Sequence, residues 1–339
     1  MRYGFKIALL LVLAGTALGA PKKPAPAKLD CMACHGEQGL SKEVDGKQHS
    51  ISIDRQRFQG SVHGIFECTD CHKDVKAFPH DPAPAKVKCA ECHADAEAAY
   101  QKSVHGKAVA LKPGEHAPGC LDCHGDIHAV LPSGDPNSAT HHQNIPKTCG
   151  NCHGEKFVMA QSGQTTQPVL MYAESVHGIA VRDGDQSHPI PGQTDGKSGQ
   201  AAVCTDCHGN HDILPPSDPK SPIFKFNVPQ TCGKCHTDIS QQYAASIHGT
   251  AMQRGNWQAP VCTDCHGIHS IKNHLDPKSS VAAANLATVT CGNCHEGVRL
   301  TNEFGIPGSR ASTYLDSYHG LASKLGSQST GRANTCSET

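Results

Sequence analysis

Nine times along this 339-residue chain, two cysteines flank a pair of residues and a histidine follows the second at once. The units are Cys31, Cys34 and His35; Cys68, Cys71 and His72; Cys89, Cys92 and His93; Cys120, Cys123 and His124; Cys149, Cys152 and His153. They continue with Cys204, Cys207 and His208; Cys232, Cys235 and His236; Cys262, Cys265 and His266; Cys291, Cys294 and His295. With 24 histidines in 339 residues, nine such hits by chance have a probability of roughly one in ten billion, so the five-residue unit is what the fold must accommodate.

Three chemistries use closely spaced cysteines. Structural zinc takes four ligands, would use the pairs two at a time, and gives the abutting histidine no role. A redox dithiol needs one or two such sites. Covalent c-type haem accounts for every position: the thiols form thioethers to the porphyrin and the histidine is the proximal iron ligand.

Residues 1–19 have a basic start (Arg2, Lys6), an apolar run from Ile7 to Leu13, and small residues Ala17 and Gly19. This reads as a secretory signal peptide, too short to span a membrane, followed by a flexible leader over 20–29. The expected location is periplasmic or extracellular, without stable membrane insertion, where bacterial haem attachment to CxxCH takes place.

Aromatic residues make up 4% of the chain, while Gly and Pro number 33 and 22. Too few large apolar residues remain for an ordinary core of this length, and nine porphyrins would supply the missing apolar surface. The expected fold class is mostly irregular with short α-helices and little or no sheet, elongated around a chain of haems.

The motifs are of two kinds that alternate. The first kind reads CTDCH or CLDCH with a second histidine soon after: His128, His211, His269 and, in a variant form, His80. The second kind reads CGNCH, CGKCH or CAECH after an approach such as NIPKT or NVPQT. Cys89, Cys120 and Cys149 recur 143, 142 and 142 residues later, which indicates an internally duplicated four-haem block. The expected organisation is N-terminal haem units over 30–88, the first block over 89–203, and its continuation and duplicate over 204–339. Cys336, followed only by Ser-Glu-Thr, resembles the first cysteine of a truncated tenth motif.

Ser-x-His-Gly occurs at His63, His105, His177, His248 and His319. DAEAAYQKSVHG and DISQQYAASIHG suggest short helices with the histidine in the last turn, released by glycine. Two axial ligands must approach an iron from opposite faces, so His269 cannot serve the same iron as His266. Nine histidines are therefore the candidate distal ligands: His63, His80, His105, His128, His177, His211, His248, His269 and His319. His49, His116, His141, His142, His188 and His274 are assigned loop or supporting roles.

Alternating CxDCHGxH and TCGxCH units with SxHG elements resemble the periplasmic multihaem c-type cytochromes of anaerobically respiring bacteria, the class III and nitrite-reductase-partner superfamily. The resemblance covers residues 30–336. It implies electron transport by nine bis-histidine c-type haems, relaying electrons between quinol-oxidising membrane complexes, other cytochromes and terminal reductases or outer-surface cytochromes. With two propionates per haem the net charge of −1 becomes roughly −10, which suits docking to basic protein surfaces and gives no sign of nucleic acid. Two alternatives remain: a multihaem oxidoreductase of the nitrite reductase or hydroxylamine oxidoreductase type, although no CxxCK is present, and a subunit of a conducting filament or outer-membrane conduit. No catalytic residue is expected in the electron-carrier reading.

Overall fold

The computed structural model describes residues 30–44, 46–77, 79–80, 83–111, 117–161, 165–184, 200–297, 302–305 and 308–324. The signal peptide, the leader, His116, His188 and Cys336 lie outside the described residues. The chain is helical and irregular. Among the described residues none of the α-helices exceeds nine residues, the length of Ala94–Lys102, Ile145–His153 and Thr237–Ala245. One antiparallel hairpin, Ser41–Val44 with Lys47–Ser50, makes the sheet, in the register Ser41 to Ser50 and Val44 to Lys47. Among the described residues no helix is long and apolar enough to cross a membrane.

The chain divides into two units, one from residues 1–53 and 72–85 and the other from 54–71 and 86–339. In the first, the helix Met32–His35 packs beside the hairpin, and Ile53 N–H bonds to the His35 carbonyl at 2.6 Å. The second is built from a corner that recurs with little change. Tyr100, Tyr172, Tyr243 and Tyr314 are spaced by 72, 71 and 71 residues. In each corner a serine three positions on donates its hydroxyl to the tyrosine carbonyl at 2.6–2.7 Å.

The same serine oxygen accepts the N–H of the glycine in Ser-x-His-Gly, at 3.0 Å for Gly106 and Gly178 and 3.1 Å for Gly249. That is an N-cap bond to the third residue of a new helix. The expectation that the histidine closes the preceding helix is therefore corrected. Ala94–Lys102 ends before Ser103, and His105 lies in the first turn of Val104–Leu111. Glycine is required for space: a Cβ on Gly178 or Gly249 would sit 2.0 Å from the carbonyl oxygen of Tyr172 or Tyr243.

The repeating unit is thus two motifs long, half the block inferred from cysteine spacing. A second recurrent element is the turn before three of the second-kind motifs, those at Cys149, Cys232 and Cys291. Ser138, Ser221 and Ser279 are 4%, 0% and 3% exposed, and their carbonyls accept from the amides of Asn144, Asn227 and Asn285 at 2.8, 2.9 and 2.8 Å. From asparagine to the first cysteine the step is five residues at 144–149 and 227–232 but six at 285–291. The extra residue is absorbed by a π-helical segment, Leu286–Cys291. Thr290 still donates to Ser280 O at 2.6 Å, as Thr148 does to Ala139 O and Thr231 to Pro222 O.

Buried side chains are few and small. Among the described residues, the buried apolar set is Val130, Ile145, Met159, Val203, Val228, Met252, Val261 and four alanines, with one cluster around Val228, Met252, Ala259 and Val261. Ile65, Leu111, Ile247 and Leu275 are 78–86% exposed. The polypeptide alone encloses no core on the scale of its length.

Candidate functional site

The two kinds of motif differ in how their short helices begin and end. In the first kind, the aspartate of CxDCH is the third helical residue and its carboxylate accepts the N–H of the residue before the first cysteine. The contacts are Asp122 to Gly119, Asp206 to Val203 and Asp264 to Val261, all 2.7 Å, and Asp70 to Glu67, 2.8 Å. This satisfies an orphan donor and places negative charge at the helix N-terminus. A basic side chain from the preceding turn grips two of these carboxylates: His142 Nε2 to Asp206 at 3.1 Å and Lys225 Nζ to Asp264 at 3.4 Å.

After the histidine, Gly125, Gly209 and Gly267 stand at φ +80° to +81° with ψ near 180°, a conformation essentially confined to glycine. The chain there leaves the helix sharply toward His128, His211 and His269. Second-kind motifs lack this break. His93 and His236 lead into the helices Ala94–Lys102 and Thr237–Ala245.

The histidines come together in pairs. His35 faces His80, His93 faces His63, His153 faces His105, and His124 faces His211, with ring centroids 5.9, 6.2, 6.1 and 6.0 Å apart. His236 faces His177, His208 faces His269, and His295 faces His248, at 6.3, 6.0 and 6.1 Å. Each of these seven pairs joins a CxxCH histidine to one of the nine candidate distal histidines. The interplanar angles run from 9° to 67°, so separation is held constant while mutual rotation is not. Ordinary aromatic pairs spread over about 4.5–7 Å and owe their preference to orientation. A metal bound by two imidazoles at about 2.0–2.1 Å, with each ring centre about 1.1 Å behind its nitrogen, sets centroids about 6.3 Å apart.

Protonation also suits ligation. His35 Nδ1 donates to Ile51 O at 2.8 Å, so Nε2 is the ring nitrogen left for another partner. Burial pushes His105, His177 and His248 below the usual imidazole range, and the facing histidine adds to the shift. These three rings sit in first turns of helices, where the dipole also opposes a cation.

Thiols of successive motifs converge too. Cys149 hydrogen-bonds Cys204, Cys232 bonds Cys262, and Cys89 bonds Cys120. Burial pushes the thiols of Cys123, Cys152, Cys207 and Cys265 up, whereas the bonds from Cys149 and Cys232 lower Cys204 and bring Cys262 down to about 7. Among the described residues no three His, Cys, Asp or Glu side chains converge as a metal site. What the fold brings together is two imidazoles at a time beside a thiol pair. That fits a metal whose other four donors are a porphyrin's, and offers structural zinc no fourfold site among the described residues.

Of the other predicted ligands, His72 and His128 fall in different units, and Phe58 lies edge-on to His128 at 6.3 Å. His266 and His319 are exposed, and among the described residues no histidine ring faces either one. The pairing, the capping aspartate and the serine cap are what the sequence reading missed. The aspartate and serine were open to it as capping signals. No family model matches the chain, and no solved structure matches it.

Proposed function

We propose that the chain is a periplasmic electron-transfer protein carrying nine c-type haems, relaying electrons in anaerobic respiration between quinol-oxidising membrane complexes and terminal reductases or outer-surface cytochromes. The observation that carries this reading is the set of seven imidazole pairs at 5.9–6.3 Å, each containing a CxxCH histidine. The paired imidazoles and the neighbouring thiols would hold haem, which would supply reversible one-electron iron chemistry. The residues of the chain hold the two imidazoles at fixed separation, so that little rearrangement accompanies a change of charge.

Converging thiols of consecutive motifs support close spacing of the attachment points in chain order. The large exposed side chains support porphyrin as the missing apolar partner. The oxidoreductase alternative requires an iron with a free face, and His266 is the position that favours it. A pyridine haemochrome count with electron paramagnetic resonance of the oxidised protein tests the reading: nine haems with predominantly low-spin signals are expected. Colourless exported protein, or zinc in the thiol pairs, overturns it.

A further inference from the structure

The segments that follow the motifs at Cys120, Cys204 and Cys262 share a backbone but not their side chains. In each, the buried serine donates its hydroxyl to the carbonyl seven residues earlier: Ser138 to Leu131 O and Ser221 to Leu214 O at 3.2 Å, Ser279 to Lys272 O at 3.4 Å. Lys272 therefore stands where the other two segments carry leucine. In the same register Ser270 stands where they carry Ala129 and Asp212. A Cβ on Gly209 would lie 3.0 Å from Asp212 Oδ1, and one on Gly267 would lie 3.4 Å from Ser270 Oγ, so the hydroxyl takes the place of the carboxylate. From the second segment to the third, the charge on these two positions goes from −1 to +1.

The changed side chains converge. Lys272, Ser270 and Lys278 line one cleft of about 240 Å³ together with Thr263 and His266. That is several times the roughly 30 Å³ share of one water and less than the about 300–1,000 Å³ of a site that encloses a whole drug-sized ligand, so the cleft suits a small hydrated group. The Lys272 side chain is only 20% exposed, and its carboxylate partner, Glu174, is 3.9 Å away and 77% exposed. An ammonium withdrawn from water to that extent favours a closer anion. The acid in the wall, Asp264, is already held by the Val261 N–H and by Lys225, and Ser280 donates to Cys265 O, which leaves the two lysines and the hydroxyls of Ser270 and Thr263 as donors. We propose that this cleft binds a carboxylate or another small oxyanion between Lys272 and Lys278, at the place where Asp212 puts a carboxylate of the chain itself in the second segment. A propionate of haem anchored at Cys262 and Cys265 and a dissolved ion offer the same chemistry. The propionate source rests on the haem reading above; the dissolved source does not.

The test compares the exported protein with Lys272→Leu, which installs the residue that the other two segments already fold with, and with Lys272→Arg and Glu174→Gln. If the cleft takes a dissolved ion, calorimetric titration with sodium acetate at constant ionic strength shows one saturable site, and Lys272→Leu weakens it about ten- to a hundredfold. If a propionate fills the cleft, acetate does not bind. Infrared difference spectra of protein with haem ¹³C-labelled at the propionate carboxyls then show one carboxylate band that Lys272→Leu shifts. In either case Lys272→Arg restores the signal and Glu174→Gln leaves it in place. The proposal is overturned if Lys272→Leu changes neither acetate binding nor any labelled band, or if Glu174→Gln reproduces its effect, which would make Lys272 the partner of Glu174 alone. Absence of haem would defeat the haem reading and leave the acetate titration to decide the cleft.

Discussion

The corner at Ser175 and the corner at Ser246 share their internal bonds yet differ in what covers them. Both serines cap the following helix, at 3.0 and 3.1 Å, and both tyrosines reach forward to hold the segment before the next motif, Tyr172 to Ala202 O at 2.9 Å and Tyr243 to Pro260 O at 2.8 Å. Over the first corner lies the irregular segment around Ile271, with His208 facing His269; over the second, nothing described bonds the Ile247 N–H or faces His266. The corner is therefore specified within its own unit, while closure of the first-kind site is specified by the next.

That division is tested most severely at the glycines. Gly178→Ala and Gly249→Ala each place a Cβ 2.0 Å from a backbone carbonyl, which cannot yield without separating two helices. Each should cost about 3 kcal/mol or more, read as a lowered denaturant midpoint and loss of one low-spin pair. Gly134→Ala, which meets nothing within 4 Å, should stay within about 0.5 kcal/mol. Equal losses at 178 and 249 support a corner that is local; a much smaller loss at 249 breaks the idea.

Next in size is the cap. Ser175→Ala should cost about 1–2 kcal/mol, since Ser175 is 1% exposed and makes two bonds. Ser246→Ala should cost less, because Ser246 is only half-buried. Thermal melts of the holoprotein separate the two.

These devices also show what could be read in advance. CxxCH and Ser-x-His-Gly are patterns of residue type alone, so the repeated cysteines and histidines stand out in the sequence, as does a fold of short helices. Placing His105 at the end of a helix failed because serine followed three residues later by glycine was taken as a stop, whereas Ser103 starts a new helix against the Tyr100 carbonyl. The two-motif repeat was hidden because the tyrosines keep an even spacing while the first-kind cysteines do not. Which histidine faces which could not be read at all: the partners of His124 and His208 lie beyond the next first-kind motif, and only packing brings them together.

Tyr243 gives a pH-dependent test of about 1 kcal/mol. Burial raises its phenol to about 12 from 10, so folding favours the neutral form. The stabilisation is present below pH 10 and is lost as pH rises from 10 through 12. Tyr243→Phe should lower stability at pH 7 by the lost bond to Pro260 and flatten part of the alkaline decline, followed by denaturant midpoints across pH. Tyr100 and Tyr172 are raised by burial as well, so a residual alkaline slope should persist.

The smallest effect is the one that separates the two corners. Proline can replace the first residue of either helix: Ser175 and Ser246 are already extended, at φ −79°, ψ 164° and φ −73°, ψ 166°, the conformation a residue before proline prefers. At Val176 the substitution deletes the N–H that bonds Ile271 O, and about 0.5–1.5 kcal/mol should be lost. At Ile247 the N–H meets no carbonyl among the described residues, so Ile247→Pro should be neutral or gain a few tenths of a kcal/mol from the stiffer unfolded chain. Hydrogen exchange of residues 268–272 supplies the second reading, since only Val176→Pro should loosen that segment. Equal effects at the two positions would mean that the Ile271 contact contributes nothing, and that the covered and bare corners do not differ in energy.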